Sequence, residues 1–350
     1  MSLPSRYEIK HKKHKQHIII FWIVFLLIFL LLILYFFYKM EKTYKSVHTS
    51  DINSSKVINQ NSLSFLLLGV DTGAHGRIDR GNSDTIIVIT INSSNKTITM
   101  YSIPRDTMAQ IIGTKDVNVQ KINAAYNIGK SPMAVSTVSK LLNIPINYYV
   151  TVNMGGLEKV IDSVGGVNVI SPLTFSYNGY NFYQGELVHL NGKSALAFTR
   201  MRHQDPQGDY GRQERQQLVI QALIQKLYSS HDIYHISKFI DSLNGNVKTN
   251  LTFKNVADFT KKFHKDKFNI KRYQLIGKTA WINESSYQVI PTSNLQEASN
   301  ILRKSLGLNY EKLNNMETHL NARNSLFFNG STQIYNVDGT DNTYYSSNTY

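Results

Sequence analysis

Seven of the eleven arginines of this chain fall in two short stretches: Arg77, Arg80 and Arg105, then Arg200, Arg202, Arg212 and Arg215. Elsewhere lysine is preferred, 27 to 11 over the whole chain, yet residues 200–215 hold four Arg and no Lys. Lysine suffices for solubility, so a local switch to arginine points to the guanidinium fork, whose planar donors match phosphate or carboxylate oxygens two at a time. The competing explanation is a solvated helix face or a set of structural ion pairs. Two aspartates accompany the arginines: Asp71 ends one apolar run and Asp84 opens the next. Paired carboxylates, completed by water and phosphate oxygens, make a usual magnesium site, because this hard cation keeps oxygen ligands. Aspartate also caps strand ends, so both readings of the pair stay open. Zinc is disfavoured, since no His pair of ligand spacing lies nearby and the chain has no Cys. The third element is the SIPRDT segment, residues 102–107. Pro104 fixes the exit from the preceding strand and aims Arg105 at the same edge, while Asp106 orients that guanidinium or caps the turn.

Residues so far apart in sequence need a scaffold that gathers strand ends. Residues 64–70 are continuously apolar and end at Asp71, residues 85–91 (TIIVITI) repeat the pattern, and residues 97–103 (TITMYSI) return after an Asn-Ser-Ser-Asn turn. Continuous rather than alternating apolarity predicts strands buried on both faces. Ser131-Pro132 opens a helix reaching about Leu142, with proline in its first turn. A strand over 148–152, a short helix over 157–164 stopped by Gly165-Gly166, and a strand over 167–170 follow. Helices are predicted over 196–202, 214–228, 256–263 and 295–306, with a strand at 273–276. The alternation gives an α/β fold, a central mixed or mostly parallel sheet with helices on both faces, in which ligands meet strand ends.

The formal charge of +14 implies an anionic partner: nucleic acid, a membrane surface or a phosphate-rich substrate. The N-terminus narrows the choice. Residues 18–38 are 21 uncharged apolar or aromatic residues, roughly 31 Å of helix, enough to span a bilayer. Their length and the following Lys39-Met40-Glu41-Lys42 predict an uncleaved anchor rather than a signal peptide. Arg6, Lys10, Lys12, Lys13 and Lys15 before the span, against Lys39, Lys42 and Lys45 after it, place the N-terminus in the cytoplasm and the remainder outside. That topology excludes nucleic acid as the partner. The expected layout is a cytoplasmic basic tail (1–17), the span (18–38), a polar stalk (39–60), a catalytic domain (61–310) and a disordered polar tail (325–350).

FLLLGVD (65–71), Ser83-Asp84-Thr85, SIPRDT (102–107), KINAAY (121–126), Gly165-Gly166-Val167 and TRMRHQDPQGDYGRQERQ (199–216) stand in an order and spacing that resembles the LytR-CpsA-Psr family, over about residues 62–230. The resemblance implies an α/β/α sandwich with an apolar cavity for a prenyl chain. It also implies a transferase that moves an anionic glycopolymer from undecaprenyl pyrophosphate to peptidoglycan by phosphoryl transfer. By motif match, Asp71 and Asp84 would hold magnesium (manganese in its place), and Arg105, Arg200, Arg202 and Arg212 would contact the pyrophosphate, with Gln216 nearby and Arg215 in the same stretch. Family members often carry Arg before the Ser-Asp pair, where this chain has Asn82; Arg77 or Arg80 would supply that charge. Asp71 is the candidate for assisting deprotonation of the acceptor hydroxyl. Hydrolysis with water as acceptor and a non-catalytic membrane regulator are the rival functions.

Overall fold

Nine residues, Ser62–Val70, form strand β1, in which Leu66 and Leu68 are fully buried and alternate with half-buried neighbours. The computed structural model describes residues 61–71, 81–229, 245–252, 254, 255, 258 and 268–341. β1 pairs antiparallel with β2 (Ser83–Asn92), which turns through residues 93–96 into β3 (Thr97–Ser102). β6 (Tyr148–Asn153) joins β1 in parallel, and β12 (Asn269–Gln274) joins β3 in parallel. β11 (Val247–Thr249) runs antiparallel to β6 and gives the order β11-β6-β1-β2-β3-β12 among the described residues. The sheet is mixed, as expected. Its centre, however, is an antiparallel meander, and the continuous apolarity of β1 and β2 comes from helices on both faces, not from parallel pairing.

One face packs Leu66, Leu68, Val88 and Tyr101 against α1 (Ala124–Leu142) and α5 (Thr292–Ser305), through Val138, Leu141, Leu295 and Leu302. Each such fully buried side chain contributes roughly 1.5–3 kcal/mol. α1 kinks at Gly129–Lys130, so its second part is the helix expected from Ser131-Pro132. The other face sets Leu67, Ile87, Ile89 and Met100 against Ile220 and Ile224 of α4 (Asp209–Ser229). α2 (Met154–Ser163), β7 (Val167–Ile170), β10 (Leu187–Leu190) and α3 (Gly192–Arg200) enclose a second cluster around Phe175, Phe182 and Phe198. Both α3 and α4 begin earlier than the apolar spacing indicates. Asn191 caps α3 through Ser194 N–H, and the Asp209–Arg212 ion pair sits in the first turn of α4.

Arg215 of α4 is fully buried, contrary to its expected place among the phosphate ligands. Its Nε donates to Phe198 O at 3.0 Å, its Nη atoms donate to Asp205 and to Met201 O, and the guanidinium lies 5.1 Å over the Phe175 ring. Every donor nitrogen is committed, so this arginine is a strut that ties residues 198–205 to α4. Gly211 serves the same contact, since a Cβ there would collide with the Asp205 carboxylate.

The expected disordered tail is a second correction. Residues 325–341 fold back onto the molecule. α6 (Met316–Arg323) starts at an Asn315–Thr318 capping box and is followed by α7 (Ser325–Phe328). Leu320, Phe327 and Tyr335 pack with Met108 and Val119 of the hairpin β4 (Met108–Ile111) and β5 (Asn118–Lys121), and with Ile282, Tyr287 and Val289 of the hairpin β13 (Lys278–Ile282) and β14 (Ser285–Val289). Tyr335 Oη donates to Asn321 Oδ1 at 2.7 Å, and Val119 N donates to Asp341 O at 2.7 Å. A few well-spaced apolar side chains outweigh a polar average. The expected cytoplasmic tail, span and stalk, residues 342–350 and most of the helix expected over 256–263 lie outside the described residues. Among the described residues no helix is long and apolar enough to cross a membrane.

Two stability predictions follow from these packed charges. Arg215→Met leaves the Asp205 carboxylate, 7% exposed, without its cation, and is expected to cost about 3–5 kcal/mol in a denaturant titration; a midpoint equal to wild type contradicts the strut. Glu317 of α6 is buried; one carboxylate oxygen accepts Gln110 N–H at 2.6 Å and the other has no hydrogen-bond partner among the described residues. Burial pushes its carboxyl up from the ordinary range, against the opposing hydrogen bonds. The folded chain therefore holds this proton more tightly than the unfolded one. The Glu317 contribution to stability is fully present below about pH 4.3 and is lost as pH rises through the folded value. Glu317→Gln should raise the melting temperature at pH 8 and flatten its decline from pH 5 to 8, as read by thermal denaturation.

Candidate active site

The sheet topology puts the end of β1, the start of β2 and the end of β3 on one edge. Register slips at the rim: Gly69 faces Thr85 but Val70 faces Ser83, which leaves Asp84 as the extra residue of a bulge. A Cβ on Gly69 would lie 2.8 Å from Thr85 Cβ, so the close approach of the two strands needs glycine there. Asp71 N reaches Asn82 O at 3.5 Å, just beyond the Val70–Ser83 pair, which sets both expected aspartates at the same edge of the sheet. Just past β3, Ile103 N–H donates to Ile86 O at 2.9 Å, and a turn closed by Thr107 N–H on Pro104 O follows. That turn carries Arg105 to the rim.

Arg105 Nη1 donates to Asp84 Oδ1 at 2.8 Å, both side chains about a quarter exposed. Its Nε lies 3.7 Å from Asp106 Oδ2, and Lys121 Nζ, from the KINAAY segment, stands 3.5 Å from Asp106 Oδ1. Arg212 arrives from α4: its Nη2 donates to Asp84 O at 3.1 Å and pairs with Asp209 Oδ1 at 2.7 Å. Two guanidiniums from different elements thus converge on one residue, one on its side chain and one on its main chain.

Electrostatics separate the two. Burial pushes the Arg105 guanidinium down, but Asp84, Asp106 and Asp209 outweigh it and hold the pKa above the ordinary value. Arg212 is pushed below its ordinary value, first by burial and then by Arg105 and Arg202, with Asp209 and Asp84 opposing. Crowded like charges of this kind are relieved by an anion. Two donors at the same place point the same way: Arg105 Nε and Arg212 Nε are buried without a hydrogen-bond partner among the described residues. Donors left in that state are stabilised when a ligand supplies acceptors.

The other expected residues divide. Arg200 ends α3 half-buried, and Arg202 follows, half-buried and close enough to Arg212 to be felt electrostatically. Neither makes an ion pair among the described residues. Gln216 is buried one turn beyond Arg212. Arg77 and Arg80 lie outside the described residues. Residues missed in sequence include Asp209, Gln213, whose Nε2 donates to Asp209 Oδ2 at 3.1 Å, and Tyr210, whose Oη donates to Gln288 Oε1 at 3.1 Å and accepts Gly277 N–H at 3.0 Å. The Asp209–Arg212 spacing of three was a legible helix signal. The Tyr210 partners, 67 and 78 residues away, were not.

Residues 33–304 match the LytR_cpsA_psr family. The chain is 39% identical over 267 residues to the polyisoprenyl-teichoic acid–peptidoglycan teichoic acid transferase TagU of Enterococcus faecalis, covering 76% of this chain and 87% of that one. The crystal structure of Bacillus subtilis TagU superposes with a TM-score of 0.57 at 38% identity, over 71% of this chain and 97% of that one. A structure of TagT bound to LI-WTA gives a TM-score of 0.59 at 27% identity over 75% of this chain and 95% of that one. With the arginine-lined sheet edge and these likenesses together, the chain belongs to the LytR-CpsA-Psr family.

Proposed function

We propose that the protein transfers a teichoic acid or related anionic glycopolymer from a polyprenyl-pyrophosphate carrier to peptidoglycan. The observation that carries this reading is the convergence of Arg105 and Arg212 on Asp84, with both Nε atoms buried and lacking hydrogen-bond partners among the described residues. The names of the relatives support the polymer and the acceptor.

The reaction is a phosphoryl transfer, in which positioning and charge stabilisation supply most of the catalysis. The acceptor hydroxyl oxygen forms a bond to phosphorus, the pyrophosphate bridge breaks, and polyprenyl phosphate leaves with the electron pair. Arg105 and Arg212 neutralise the phosphate oxygens, and Arg200 and Arg202 extend the cationic surface. The hydroxyl proton passes to a carboxylate at the rim, which we assign to Asp71. Asp71 and Asp84 are also the residues that would hold magnesium. Their hard oxygen donors fit that ion, with water and phosphate oxygens completing the shell, and the ion pair to Arg105 uses only Oδ1 of Asp84. Bound there, magnesium would add positive charge beside the pyrophosphate. Among the described residues no group of three or more His, Asp or Glu gathers, so a metal held without substrate would be weakly retained.

We further assign an α/β/α sandwich of catalytic residues 61–310 behind a single span at 18–38, with residues 1–17 in the cytoplasm. The 21-residue apolar run, the charge bias around it and an acceptor that lies outside the cell support this topology.

Incubating purified lipid-linked polymer with the full-length protein, with and without peptidoglycan, tests the reading. Polymer should become attached only when peptidoglycan is present; release without attachment makes the protein a pyrophosphate hydrolase instead. Arg105→Ala should lower transfer by about 10²–10³-fold, the usual range for loss of one charge-stabilising donor, at an unchanged melting temperature. Near-normal transfer by this variant would falsify the pyrophosphate role of Arg105. Asp84→Ala should lose transfer and its response to added magnesium together, whereas a purely regulatory membrane protein would be indifferent to both changes.

A further inference from the structure

The β13–β14 hairpin buries one face and leaves the other uncovered. Ala280, Ile282, Tyr287 and Val289 point into the core beside Phe327 and Tyr335. Strand alternation puts Thr279, Trp281, Ser286 and Gln288 on the outer face, where Thr279 opposes Gln288 and Trp281 opposes Ser286. Trp281 is 69% exposed although it sits in a paired strand. Ile334, bridged to Trp281 from the C-terminal segment, is 74% exposed and widens the apolar surface. An indole held open in this way, on a rigid hairpin, marks a contact surface.

The same face is continuous with the arginine site. Gln288 Oε1 accepts from Tyr210 Oη, Gln288 N donates to Asp106 O at 2.8 Å, and Gln288 Nε2 donates to Thr279 Oγ1 at 2.9 Å. Tyr210 and Asp106 are the chain neighbours of Asp209 and Arg105. From the Gln288–Thr279 rung to the Ser286–Trp281 rung is two residues, about 7 Å at strand rise, comparable with the spacing of adjacent sugar rings. The face thus starts at the pyrophosphate grip and ends on the indole.

Its chemistry selects the occupant. Thr279, Trp281, Ser286 and Gln288 carry hydroxyls, an amide and an aromatic face, and no charge. A polyanionic polymer finds no counter-charge there. The neutral amino-sugar backbone of an acceptor glycan finds an apolar plane for the C–H face of a ring and hydrogen-bonding groups for its hydroxyls and amides. We propose that this face, centred on Trp281, binds the amino-sugar backbone of the peptidoglycan acceptor and delivers its hydroxyl to the site. The proposal rests on the transferase reading, and glycan binding can be measured without transfer.

The test uses the full-length protein in detergent and peptide-free, polymer-free glycan strands as the probe. In a Trp22→Phe background Trp281 is the single indole, so its fluorescence should shift as strands are added. Trp281→Ala should weaken strand binding about tenfold, ~1.4 kcal/mol, and raise the acceptor KM to match. The donor KM and the melting temperature should stay at wild type, with Trp281→Phe intermediate in strand binding. Unchanged strand binding, or a rise in the donor KM instead, overturns the acceptor site. If strands bind through Trp281 yet no polymer is transferred, the transferase reading falls and the saccharide site stands.

Discussion

Guanidinium groups brought out of water must be matched by acceptors, and this constraint organises the rim of the sheet. Arg105 and Arg212 reach one residue, Asp84, from a post-strand turn and from a helix. The slip in register between Gly69 and Val70 leaves Asp84 unpaired in the ladder, at the place both guanidiniums reach. The fold invests its only described irregularity between β1 and β2 at the place where the cations gather. The pairing is incomplete: Arg105 Nε and Arg212 Nε stay buried without a hydrogen-bond partner among the described residues.

Arginines within one short stretch divide between two kinds of work. Arg215 spends all its donors on Phe198 O, Met201 O and Asp205, and so fixes the backbone from which Arg200 and Arg202 project. Arg212, three residues earlier on the same helix, faces the rim. A difference of three residues leaves the two side chains only about 60° apart around the helix, so their partners, Asp84 and Asp209 for one and residues 198–205 for the other, set them apart. The strut and the stretch it holds are therefore one unit, since loosening residues 198–205 would move two guanidiniums together.

The C-terminal segment extends this logic. Phe327 and Tyr335 complete a core under the β4–β5 and β13–β14 hairpins, and those hairpins in turn hold Asp106 through Gln288 and Lys121. Residues beyond the family match at 304 thus stabilise the turn that carries Arg105. They also supply Ile334 beside Trp281, so the outermost addition to the fold borders the surface nearest to the chemistry.

The sequence by itself determined the buried strands, the helix opened by Ser131-Pro132, the clustering of arginines and the pair Asp71 and Asp84, because each is written in local spacing or in residue choice. It also carried the family motifs, which lie in order along residues 65–216. Tertiary structure alone decided that Arg212 reaches Asp84 at the sheet edge and that Arg215 is a buried strut. Residue type is identical in Arg212 and Arg215, and the distinction arises from the distant partners that packing brings to each. The order of the last residues was likewise hidden: Leu320, Phe327 and Tyr335 are scattered among polar neighbours, and their burial depends on hairpins some 40 to 200 residues earlier in the chain. Long-range packing has no local signature, and the placing of charge at the rim is a consequence of that packing.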